Sequence, residues 1–196
     1  MTLILPLLAA LIFSYEVQAA DKQHNHLSNY AGEEARMIKS LSPDDIAELK
    51  RGGGWGLAKT AELNGVPGPA HLLEMKEQIA LSEDQVFEIT KLFNAMKTKA
   101  IKHGEKLIKL EKELEIHFRS GTITAPLLRS SLDAIAEVRK ELRYVHLATH
   151  LETPAILSAD QIENYNTLRG YFNSDLCARI PEGHNSEMWR KHNGCQ

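Results

Sequence analysis

Between Ser82 and Phe118 an apolar residue returns at almost every third or fourth position: Val86, Ile89, Phe93, Met96, Ala100, then Leu107, Leu110 and Leu114. Ser82 and Gln85 have the spacing of a capping box, which marks where the helix starts. One helix over this stretch would be roughly 50 Å long at 1.5 Å per residue. No compact core encloses a rod of that length, so a second helix of similar length has to cover the seam. One follows at once. Ser120-Gly121 breaks the first helix, Thr124 and Pro126 open the next, and Leu128, Leu132, Ile135, Leu142 and Val145 form its seam. The pair predicts a long antiparallel hairpin whose outer faces alternate Lys and Glu, as in Glu105 with Lys109, the pattern of a solvated surface.

Shorter elements flank this hairpin. Pro154 stands one turn after His150, cannot donate to the carbonyl of residue 150, and should stop or kink the return helix. Ser158 with Gln161 caps a last helix that runs to about Tyr171. Upstream, Ser42-Pro-Asp-Asp45 starts a short helix with Ser42 as N-cap and Pro43 in the first position. Gly52-Gly-Gly-Trp-Gly56 ends that helix, with Trp55 pinning the turn to the core. Asn64-Gly-Val-Pro-Gly-Pro69 separates a short helix at 59–63 from the one that carries His71 and Met75. The glycine run is not a phosphate loop, because Ala58 stands where a Walker loop has the glycine before its lysine. No strand pattern occurs, so an all-α chain without a nucleotide site is expected.

Residues 3–13 are apolar and lead into Val17-Gln-Ala19, a small-residue cleavage pattern, so residues 1–19 are expected to be a cleaved secretory signal and the mature chain periplasmic. The run is shorter than the roughly 20 apolar residues that span a bilayer. No Lys or Arg precedes it, and an uncleaved anchor is the alternative. Residues 20–69 then form an N-terminal extension that opens with a polar arm holding His24 and His26, 70–172 the hairpin domain, and 173–196 a tail. Cleavage removes one acid, Glu16, and moves the formal charge from −3 to −2, which gives no reason to expect a nucleic-acid partner. In an oxidising compartment the only two cysteines, Cys177 and Cys195, are expected to pair. The alternative is two free thiols acting as soft metal ligands.

Two stretches echo each other. His71-Leu-Leu-Glu-Met75 runs into Leu81-Ser-Glu-Asp-Gln85, and His146-Leu-Ala-Thr-His150 runs into Leu157-Ser-Ala-Asp-Gln161. Each copy sets two potential metal ligands four residues apart just ahead of a helix start. Ligands at that spacing share one helix face, so two such helices side by side supply four to one ion. The ordinary reading is structural, since His146 continues the seam from Leu142 and methionine is most often core filler.

The doubled Leu-Ser-x-x-Gln resembles the repeated Leu-Thr-x-x-Gln of the Spy/CpxP group of periplasmic proteins, and of the related periplasmic heavy-metal sensors of the CnrX and zinc-resistance type. The likeness covers about residues 68–172, with serine keeping the capping hydroxyl of threonine. It implies a four-helix hooked hairpin that dimerises. It also implies one metal site built from His71, Met75, His146 and His150, with Glu88 by position, or the nearer Glu74, completing the shell. The methionine falls in the first pair here and in the second pair in the sensors. Three nitrogens and one thioether leave Zn, Cu, Ni and Co open.

The tail holds a second candidate cluster, His184, Met188 and His192, four residues apart within the expected disulfide, which suits copper. The alternative is a polar capping tail with Trp189 packed on the hairpin. His103 and His117 occupy core-type positions of the long helix and read as structural or dimer-interface residues. Carboxylates are spread over helix faces instead of converging, so no catalytic constellation is defined and an enzyme is not expected. The expected function is that of a homodimeric periplasmic heavy-metal sensor or buffer, with a membrane-bound signalling partner if a sensor. The alternative is an ATP-independent chaperone that holds unfolded clients on its concave helical surface.

Overall fold

The computed structural model describes residues 28, 30–171, 177, 180 and 183–195; the expected leader, His24 and His26 lie outside them. The described residues up to Glu34 belong to a separate unit, a pair of turns in which the amides of Ala31 and Glu33 donate to the carbonyls of Ser28 and Tyr30. The second unit, Ala35–Gln196, is helical, with no strand among its described residues. Its elements are α1 (Pro43–Lys50), α2 (Lys59–Glu62), α3 (Pro69–Glu74), α4 (Glu83–Arg119), α5 (Ala125–Glu152), a 3-10 turn (Thr153–Ile156), α6 (Ala159–Arg169) and α7 (Ser186–His192).

α4 runs for 37 residues, about 55 Å at the standard rise, and pairs with α5. Ile89, Met96, Ala100 and Leu107 are buried along α4, and Ile135, Val138, Leu142 and Val145 along α5. The two run antiparallel, since Gln85 near the start of α4 reaches Ile156 while Glu111 reaches Arg139. Leu132, expected on the seam, is 48 % exposed, and Val138 is buried instead. A straight helix drifts by about 20° per heptad from a strict seam of threes and fours. The buried track therefore passes from Ile135 to half-buried Ser131 and leaves Leu132 to one side. Pro154 ends the α-helix as expected, with the 3-10 turn taking over at Thr153.

Two seam positions on α4 carry no apolar side chain. Gly104 is buried where a Cβ would stand 2.5 Å from the carbonyl oxygen of Leu49, so α1 packs directly on the α4 backbone. Glu111, also buried, accepts from Ser40 Oγ at 2.9 Å and Arg139 Nη2 at 2.8 Å. That guanidinium lies over the Trp55 ring, whose Nε1–H donates to Asp45 Oδ1. These contacts join Ile38, Leu41 and Leu49 of the extension to the core of the helix pair. Asp45 also closes the α1 capping box; the Ser42 hydroxyl, then the indole, hold its carboxyl below the usual carboxylate range.

The Leu-Ser-x-x-Gln repeats meet each other. Each glutamine closes the capping box of its own helix, Gln85 on Ser82 and Gln161 on Ser158. The two side-chain amides then pair reciprocally at 2.8 and 2.9 Å. The remaining hydrogen of each amide goes to the carbonyl two residues ahead of the other repeat's serine: Gln85 donates to Ile156 and Gln161 to Ala80. Next to this brace Leu72, Ile79, Ile89 and Tyr165 form a second, smaller core. Cys177 and Cys195 are joined in a disulfide, as expected.

Candidate functional site

α5 carries His146 and His150 one turn apart on its buried face, because both continue the periodicity of Leu142 and Val145. His150 Nδ1 lies 2.9 Å from the carbonyl oxygen of Val66. A carbonyl only accepts, so this nitrogen carries a proton and the other ring nitrogen, Nε2, is the one turned away from Val66. That Nε2 stands 3.9 Å from Glu62 Oε1. The space between them exists because residue 68 is glycine: a Cβ there would fall 2.6 Å from His150 Nε2 and 2.9 Å from Glu62 Oε1.

His146 is buried, and its Nε2 has no hydrogen-bond partner. An unmet polar atom in such a place costs about 1–3 kcal/mol. Burial first, and the charge of His150 second, hold its pKa below the ordinary imidazole value of 6.5, so the ring is neutral at pH 7. The third imidazole comes from α3, where His71 Nδ1 lies 2.9 Å from Glu74 Oε2 one turn on. The carboxylate takes the Nδ1 side of the ring, so Nε2 is the nitrogen left for a metal. His71, His146 and His150 line one cleft of about 690 Å³, whose wall also includes Glu62, Glu74 and Tyr171.

The other expected ligands are placed elsewhere. Met75 follows the last residue of α3 and packs against the second core. Glu88 is exposed on α4 and pairs with Lys91. In the tail, Met188 and His192 share α7, but His184 precedes that helix and packs edge-on to Trp189 with ring centroids 5.0 Å apart. His103 and His117 are half-buried on α4, and His117 bonds Thr122. Among the described residues no three His, Cys, Asp or Glu side chains form a ready-made metal cage, and no helix is long and apolar enough to cross a membrane.

Sequence reasoning missed Glu62 and Gly68. Neither carries a local signal: Glu62 ends a one-turn helix, and Gly68 sits in a turn already rich in glycine and proline. No family model, curated protein or solved structure matches the chain.

Proposed function

We propose that this protein binds a transition-metal ion in the cleft through His146 and His150, with His71 as a third ligand, and that it senses or buffers that ion in the periplasm. The reading is supported above all by one observation: His146 is a buried imidazole with an unpartnered Nε2, one turn from His150, whose Nδ1 is the ring nitrogen taken by the Val66 carbonyl. Metal-bound histidines characteristically give their other ring nitrogen to a carbonyl or carboxylate, as His150 and His71 do. With Met75 in the second core, the donor set is imidazole and carboxylate, which suits Zn, Ni or Co better than Cu(I).

The three rings do not converge beforehand, so the ion has to draw α3 toward α5. It then favours the arrangement it binds best, and that shift of population is how occupancy would become a signal to a membrane partner. The hooked, dimeric form implied by the Spy/CpxP resemblance belongs to the same reading, with the long helix pair in its support. Titration of the full chain with Zn(II), Ni(II) and Co(II) is expected to give micromolar binding that falls at least tenfold in His146→Ala and His150→Ala. Equal affinity in the variants would overturn the assignment.

A chaperone reading draws on Phe87, Tyr144 and Leu151, large apolar side chains exposed on the long helices. It requires that aggregation of an unfolded client be suppressed in both histidine variants and in chelator as well as in the unaltered protein.

A further inference from the structure

The carboxylate that faces His150 is held in place on its far side. Glu62 Oε2 accepts from Tyr165 Oη at 2.6 Å and from Tyr171 Oη at 2.9 Å. The Tyr171 oxygen in turn accepts from Arg169 Nε at 3.0 Å and Nη2 at 2.8 Å. With Oε2 occupied, Oε1 is the atom left toward the cleft, 3.9 Å from His150 Nε2 across the gap that Gly68 keeps open. Close packing alone would not keep this gap. A bulkier residue at 68 would fill the gap, and a direct hydrogen bond would close it.

We infer that Glu62 is a ligand of the ion, with Oε1 and His150 Nε2 as two corners of its shell and the Tyr165 and Tyr171 hydroxyls as the groups that aim the carboxylate. This rests on the metal reading above and extends it to a residue outside the repeats. Bonds of about 2.0–2.1 Å to nitrogen and 2.0–2.2 Å to a carboxylate oxygen, at a tetrahedral angle, put the two atoms roughly 3.4 Å apart. The observed gap is slightly wider, so closing on an ion takes a movement of about 0.5 Å. Glutamate suits the task because one oxygen can be anchored while the other coordinates. Glutamine keeps an acceptor for the phenols but loses the charge.

The consequence is that the ion ties α2 of the extension to α5, and α2 is tied through two phenols to α6 and the residues after it. Glu88 and Glu74, the carboxylates expected from the sequence, lie on other helices and have no such anchors.

The test uses the full chain with Co(II), whose visible d–d bands report ligand number and type, and with Zn(II) by calorimetry. Glu62→Gln is expected to weaken binding by 100-fold or more and to change the Co(II) spectrum. Tyr165→Phe with Tyr171→Phe, which leaves the carboxylate present but unaimed, is expected to weaken it about tenfold with the spectrum retained, in keeping with the 10–100-fold effects of outer-shell partners. Glu74→Gln is expected to change affinity less than Glu62→Gln. If the unaltered protein binds and Glu62→Gln binds equally, with the same spectrum, the Glu62 assignment is wrong while the histidine reading survives. If Glu62→Gln does not fold, the phenylalanine pair decides, and undiminished affinity there overturns the proposal. If the unaltered protein binds no ion, the histidine reading itself fails.

Discussion

Gly68 shows how one residue's worth depends on its neighbours more than on its own backbone. It is the N-cap of α3 with φ −100° and ψ 151°, ordinary extended geometry that any residue adopts. Its glycine is required for space, since the added Cβ would stand 2.5 Å from His150 Cε1. Gly68→Ala should therefore push the imidazole off the Val66 carbonyl, costing about 1–3 kcal/mol, as overpacking does. It should also weaken metal binding. Urea unfolding with a parallel Zn(II) titration checks both, and an unchanged midpoint would show that the ring moves aside freely. His150 was legible from its spacing to His146, but the glycine beside it was not. Turn glycines are commonplace, and only the fold shows which one lies against this histidine.

At the scale of elements, the helix starts were readable because capping is local: a serine and the amide three residues later contact each other wherever the helix goes. The same glutamines also hold the structure together in a way no local rule describes. An amide has two hydrogens and an accepting oxygen, and closing a capping box uses only part of that capacity. Where the rest goes depends on what lies opposite, here the other glutamine 76 residues away. Gln85→Ala and Gln161→Ala should each cost about 1–3 kcal/mol, from the lost cap and the orphaned partner together. The double variant should cost less than the sum of the two by about 0.5–3 kcal/mol. Additive losses in urea unfolding would mean that the cross-brace contributes nothing beyond the two caps.

For the molecule as a whole, an ion that binds only the folded chain adds to its stability by mass action, about 2.7 kcal/mol at a free concentration 100 times Kd. Zn(II) or Ni(II) is therefore expected to raise the thermal midpoint by several degrees, with the rise abolished in a His146→Ala, His150→Ala double variant. Calorimetric scans with and without the ion measure it, and an equal rise in that variant would place the ion elsewhere. Most of the α4 and α5 seam, the capped starts and the stop at Pro154 follow from the sequence alone, because periodicity, capping and a missing amide hydrogen act within a few residues of each other; Leu132 and Val138 are where the seam departs from it. The ligand set does not. The spacing from His71 to Met75 promised one shared face only if the helix continued, but α3 ends at Glu74 and Met75 turns into the second core. Glu62 meets Tyr165 across 103 residues of chain, a proximity set by how the extension docks on the helix pair through Gly104, Glu111 and Trp55. Which side chains share a cleft is a property of that docking, and docking is decided by close packing between distant segments.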